Sequence, residues 1–177
     1  MSDDPLATRV RRTLRDVPDF PKPGIVFKDI TPILADAMLF ADVIAAMATW
    51  YRGNGVTHVA GVESRGFILA APIAYAMGAG FLPIRKAGKL PSGTISREYA
   101  LEYGTDSLEM HADACGAGSR VLLVDDVLAT GGTAVAAASL IEGIGSKVIG
   151  CAFLLAIGSL HGADRLEGQP VRVLLRV

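Results

Sequence analysis

Asp125 and Asp126 stand where the apolar run Val121-Leu122-Leu123-Val124 gives way to Val127-Leu128-Ala129-Thr130-Gly131-Gly132-Thr133 and then to an Ala-rich stretch. The order reads as buried strand, acidic pair, turn and helix N-terminus. Gly131-Gly132 lets the backbone curl so that several N–H groups point at one spot, and the following helix adds its positive end. Such a spot holds a phosphate, with the Thr130 and Thr133 hydroxyls as further donors. The two carboxylates then need another partner, because they would repel an anion placed directly on them. A cation or the vicinal hydroxyls of a ribose satisfies them.

The elements that position this run repeat one plan. Thr57 to Val62 reads as a core strand that ends at Glu63-Ser64-Arg65-Gly66, where a buried helix through about Met77 begins. Residues 81–84 form a second strand, which exits through Arg85-Lys86-Ala87-Gly88-Lys89-Leu90-Pro91-Ser92-Gly93. With 121–124 there are three charged strand exits, which predicts an open, mainly parallel sheet with its site at the carboxyl ends of the strands. Residues 87–96 read as a loop able to close over a substrate, and 99–103 with 107–111 as a hairpin. Ahead of these, Pro5 to Val17 has helical spacing of Leu6, Val10, Leu14 and Val17. Asp19 to Gly24 cannot be regular, Ile25-Val26-Phe27 continues an extended loop, and Met38 to Tyr51 is a second helix.

Bulk properties exclude several classes. The 177 residues carry 17 basic and 18 acidic side chains, a net charge of −1, so nothing favours nucleic acid through bulk electrostatics. Two cysteines, Cys115 and Cys151, form no metal or redox spacing, and Met1-Ser2-Asp3-Asp4-Pro5 has no leader pattern; a reducing cytoplasm is expected. The uncharged stretch Gly66 to Ile84 has the length of a membrane span, but Pro72, Gly78, Gly80 and Pro83 divide it into helix, turn and strand. Gly88-Lys89 lacks the first glycine and the Ser or Thr of a Walker loop. Gly143-x-Gly145 lacks its third glycine. Val62-Glu63-Ser64-Arg65-Gly66 approaches a hydrolase nucleophile elbow but fails at the first glycine.

The 121–133 run resembles the phosphoribosyl-pyrophosphate (PRPP) signature of the type I phosphoribosyltransferases. Four further blocks, Phe20 to Ile30, Glu63 to Phe67, Arg85 to Pro91 and Leu101 to Gly104, extend the resemblance over about residues 20 to 134 and are similar to the adenine phosphoribosyltransferase family. The resemblance implies one domain: an open, mainly parallel twisted sheet flanked by helices, with an active-site hairpin and a small hood from about residues 1–36 and the C-terminal segment. It implies transfer of the 5-phosphoribosyl group from PRPP to adenine, giving AMP and pyrophosphate, by a cytoplasmic homodimer of purine salvage. Mg²⁺ would arrive on PRPP, and no metal is assigned to the protein's own side chains. Within the class, a 6-oxopurine enzyme and a non-catalytic PRPP-sensing regulator are the alternatives.

Roles follow residue by residue from the same resemblance. Backbone N–H groups of Ala129, Thr130, Gly131, Gly132 and Thr133 would fix the 5′-phosphate, and Asp125 and Asp126 the ribose hydroxyls. Arg65, Lys86 and Lys89 would receive pyrophosphate, and Glu102 would handle the proton of the purine nitrogen. Phe27 would stack on adenine, the backbone of Val26 and Lys28 would read its 6-amino edge, and Ile157 would meet its other face, with the Lys28 side chain in solvent. The peptide before Ser64 is cis in the family. Ala156 departs from the Glu that many members carry. His111 stays open between a phosphate contact and the role of a satisfied surface histidine.

Overall fold

A computed structural model describes residues 4–100, 105–166 and 168–177. These residues gather into two compact units, Met1–Ala46 and Met47–Val177.

In the first unit, helix α1 (Pro5–Thr13) starts on an Asp4 cap whose carboxylate accepts from the Leu6 N–H at 2.9 Å, with Pro5 in the first turn where no amide is needed. It ends sooner than its apolar spacing predicts. Leu14 leaves helical geometry at ψ 134°, and Arg15–Pro18 becomes strand β1, antiparallel to β2 (Val26–Asp29). Val17, expected on the helix, lies opposite Phe27 in that ladder, and the residues read as an extended loop are half of a hairpin. The bend between the strands closes where the Asp19 carboxylate accepts from the Gly24 N–H at 2.7 Å. A short helix α2 (Thr31–Ala35), not anticipated, follows, with Pro32 in its first turn. Helix α3 (Ala37–Thr49), whose residues from Met47 on belong to the second unit, takes the place of the expected second helix.

The second unit is built on a seven-stranded sheet. Its strands are β3 (His58–Val62), β4 (Gly80–Lys86), β5 (Thr94–Ala100), β6 (Thr105–His111), β7 (Arg120–Leu128), β8 (Lys147–Ala156) and β9 (Val171–Arg176), in the order β5-β6-β4-β3-β7-β8-β9. The five strands from β4 to β9 are parallel, and β6 joins β4 antiparallel. β7 and β8 read as near-continuous apolar runs because both faces of the sheet are covered: Val121 to Val124 and Val148 to Ala156 are buried. Helices α4 (Arg65–Met77) and α5 (Gly132–Gly143) follow β3 and β7. α4 ends at Gly78 in the left-handed conformation, φ 66°. No described helix is long and apolar enough to cross a membrane.

The chain moves from β3 outward to β4, then returns to the other side of β3 as β7. Between β3 and β7 the winding reverses, and in open parallel sheets the crevice at the carboxyl ends of such strands is where ligands bind. The hairpin of β5 and β6 begins at Thr94, so part of the segment read as a loop is already strand.

Candidate active site

β7 does not stop at Val124; it runs to Leu128 and carries both carboxylates inside the strand. Asp125 Oδ1 accepts the Asp126 N–H at 2.9 Å, and burial, together with the neighbouring Asp126, raises the Asp125 carboxyl well above the usual range. Burial also raises Asp126, against the pull of Arg65. Arg65 Nε lies 2.8 Å from Asp126 Oδ2, near enough for an ion pair, yet its N–H is not aligned on that oxygen, which stays enclosed without a hydrogen bond. The start of α4 presses close to β7. A Cβ on Gly66 would stand 2.7 Å from Asp125 Oδ1, so only glycine lets the helix sit there.

After β7 the chain turns through Ala129 and Thr130 to Gly131, left-handed at φ 83°, which serves as the N-cap of α5. No side chain caps this helix, so its first N–H groups have no side-chain partner and are of the kind that can take an anion, with Thr130 exposed and Thr133 half-buried beside them.

The cations of the neighbouring exits are already engaged. Glu63, at the end of β3, takes Arg85 Nε at 3.1 Å, the Lys86 N–H at 3.2 Å and the Lys89 ammonium. Burial pushes the Glu63 carboxyl up, but the hydrogen bonds from Lys89, Lys86 and Arg85 outweigh it and hold it below the usual range. Lys86 Nζ meets Asp106 of β6 at 2.9 Å. That hydrogen bond raises Lys86 and, with the Ser107 N–H, lowers Asp106. Tyr99 donates to Asp106 at 3.4 Å and lies within hydrogen-bonding reach of Thr133. Thus Arg65, Lys86 and Lys89 stand on the ends of adjacent strands or their exits, each against a carboxylate.

Residues 32–174 match the phosphoribosyl transferase domain family. The chain is 56% identical over 175 residues to the adenine phosphoribosyltransferase of Myxococcus xanthus, covering 99% of this chain and 95% of that one. The crystal structure of adenine phosphoribosyltransferase from Thermoanaerobacter pseudethanolicus superposes with a TM-score of 0.94 at 47% identity, covering 97% of this chain and 99% of that one. The chain belongs to the adenine phosphoribosyltransferase family. Another member, from Saccharomyces cerevisiae, complexed with an imino-altritol bisphosphate and adenine, matches with a TM-score of 0.92 at 37% identity over 96% of this chain and 98% of that one.

The remaining residues expected from the adenine phosphoribosyltransferase resemblance divide between the units. In the first, Val26, Phe27 and Lys28 share β2; Phe27 packs edge-on against Phe20 at 5.2 Å between ring centroids. The Lys28 ammonium is not simply in solvent, since it pairs with Asp16 at 2.8 Å across the ladder. In the second, Ile157 follows β8, its N–H donating to Leu128 O at 2.9 Å, and Ala156 is buried. Glu102 lies outside the described residues. His111 is no satisfied surface histidine, because its Nε2 is enclosed and lacks a hydrogen bond. The Glu63–Ser64 peptide is cis, as the resemblance implied; Phe20–Pro21 is also cis. Sequence reading gave no role to Glu63, Arg85, Tyr99 or Asp106. The register Lys86 opposite Leu108 brings Asp106 to Lys86, and only strand pairing reveals it.

Proposed function

We propose that this protein transfers the 5-phosphoribosyl group of PRPP to adenine, releasing pyrophosphate and forming AMP. The observation that carries this is the acidic pair of β7 running directly into an uncapped helix N-terminus, with cations on the adjoining strand exits. The C1–oxygen bond to pyrophosphate breaks, a purine nitrogen bonds to C1, and the proton of that nitrogen leaves. Backbone N–H groups from Ala129 to Thr133 fix the 5′-phosphate, and Asp125 and Asp126 accept the ribose hydroxyls and offset positive charge developing on the sugar.

Arg65, Lys86 and Lys89 receive the pyrophosphate, exchanging their carboxylates for phosphate oxygens. When Arg65 turns to that anion it uncovers Asp126 Oδ2, whose lack of an aligned donor suits a ribose hydroxyl. Hard carboxylate oxygens at Asp125 and Asp126 also fit a hard cation, and Mg²⁺ carried by PRPP would neutralise part of the leaving charge. Glu102 takes the purine proton. Val26, Phe27, Lys28 and Ile157 are the adenine-binding residues of this reading, by family resemblance. A cytoplasmic homodimer, and one domain with about residues 1–36 and the C-terminal segment as a hood, belong to the same reading.

A coupled assay for pyrophosphate release from PRPP and Mg²⁺, run in parallel with adenine, hypoxanthine, guanine and xanthine, tests it. Release with adenine alone, lost in Asp126→Ala, is the expected result. Turnover of an oxopurine overturns the base assignment, and silence with every base overturns the enzymatic reading in favour of a PRPP-sensing regulator.

A further inference from the structure

The turn after β8 touches the phosphate loop backbone against backbone. A Cβ on Gly131 would stand 2.4 Å from the Gly162 carbonyl oxygen; one on Gly162 would stand 2.1 Å from the Ala129 carbonyl oxygen and 2.8 Å from the Gly131 nitrogen. The approach is therefore reciprocal and leaves no room for a methyl group on either side. His161, with φ 50°, occupies the left-handed region that non-glycine residues seldom adopt, and it delivers Gly162 to this position. Two more links tie the same turn to the loop. Ile157 N–H donates to Leu128 O at 2.9 Å, and Arg165 Nη1 reaches the Thr130 carbonyl at 3.5 Å.

We propose that Gly162 is a positioning residue for the 5′-phosphate. It touches no substrate; it braces from behind the loop whose N–H groups bind phosphorylated ribose. This rests on the assignment of residues 129–133 to the 5′-phosphate. The pyrophosphate arms Lys86 and Lys89 stand on another element, the exit of β4, and do not depend on this brace. A methyl group at position 162 pushes the Ala129–Gly131 backbone forward by about 1 Å, a displacement that costs on the order of 100-fold where groups must be aligned.

The test is calorimetric titration of the full-length protein with ribose 5-phosphate and, separately, with Mg²⁺-pyrophosphate. Gly158→Ala is the control, since a Cβ there meets only Val177 O at an ordinary 3.7 Å. Gly162→Ala is expected to weaken ribose 5-phosphate by about 10- to 100-fold and to raise KM for PRPP, while pyrophosphate affinity stays within about twofold and Gly158→Ala behaves as the parent. Unchanged ribose 5-phosphate affinity in a folded Gly162→Ala, or equal weakening of both ligands, overturns the proposal. If that variant does not fold, Arg165→Ala replaces it, because it adds no bulk. A selective loss of about two- to tenfold for ribose 5-phosphate is then expected, and no loss overturns the brace. A parent that binds no ribose 5-phosphate overturns the phosphate-loop assignment itself, and the brace with it.

Discussion

Replacing Glu63 with Gln removes the charge on which Arg85 and Lys89 converge while keeping the shape of the side chain. The Glu63 side chain is only 10% exposed, whereas those of Arg85 and Lys89 are 35% and 47% exposed, so solvent screens each pair from the cation side. Two such screened pairs are worth about 0.5–1 kcal/mol each. The new amide can still accept the Lys86 N–H, but its NH₂ must then face a guanidinium or an ammonium, donor against donor, at a further cost of about 1 kcal/mol. The sum is about 2 kcal/mol, which for a chain of this size lowers Tm by roughly 4–8 °C. The effect must also depend on pH with a defined sign. Glu63 is held below the ordinary carboxylate range, so its stabilisation is complete above that range and disappears as pH falls through the folded-state value. Thermal unfolding of parent and Glu63→Gln at neutral pH and at steps through the acid range measures both quantities. A difference in Tm that is absent at neutral pH, or that does not shrink on acidification, refutes the assignment of Glu63 as the ionised hub. A cycle with Lys89→Met, which retains the apolar stem, isolates the Lys89 share.

Asp106→Asn removes the charge that holds Lys86 while leaving all three candidate pyrophosphate side chains in place. Steady-state kinetics should show KM for PRPP changed by several-fold with KM for adenine unaltered, and a change in the adenine KM alone would remove Asp106 from the site. Burial and the neighbouring Asp126 raise the Asp125 carboxyl, whereas the ribose hydroxyls and cation proposed to bind there favour the ionised pair, so titrations with ribose 5-phosphate and Mg²⁺ in buffers of different ionisation enthalpy should give apparent heats that diverge. Identical heats would show that the pair is already fully ionised. Tyr51 is buried, donates to the carbonyls of Cys151 and Pro170 at 3.0 and 3.1 Å, and is pushed by burial up to about 12. Tyr51→Phe should cost about 1–2 kcal/mol in urea unfolding, and the stabilisation in the parent should persist until pH climbs past the ordinary phenol range and fail as it passes the folded-state value.

The strand exits of β3, β4 and β7 were legible because each is a short-range pattern: an apolar run long enough for a strand, then charge or glycine, followed after β3 and β7 by helical periodicity and after β4 by a Gly- and Pro-rich loop. What escaped was set by pairing across long stretches of chain. Leu14 and Val17 continue the apolar spacing of α1, but Val17 is taken by Phe27 of β2, and a ladder overrides helical periodicity there. Asp125 and Asp126 look like loop residues since charge normally ends a buried strand; here β8 continues to Ala156 alongside, pairing Asp125 with Phe153 and Leu128 with Ala156 and keeping β7 extended. The carboxylates that hold Lys86 and Lys89 carry no local signal, because Asp106 and Glu63 reach them through a β4–β6 register and a strand exit. Gly162 resembles any turn glycine until its backbone is seen against Ala129.

The pairing of Arg65, Lys86 and Lys89 with Asp126, Asp106 and Glu63 makes the resting crevice close to charge-balanced despite its concentration of ions. With these three as the proposed pyrophosphate ligands, PRPP would enter as a competitor in an ion-exchange equilibrium and displace carboxylates already in place. The gain on binding is the difference between two sets of ion pairs, so affinity responds less steeply to ionic strength than a bare basic cleft would. On that reading selection falls on an anion's geometry, because a ligand that engages all three cations must replace three separate carboxylates.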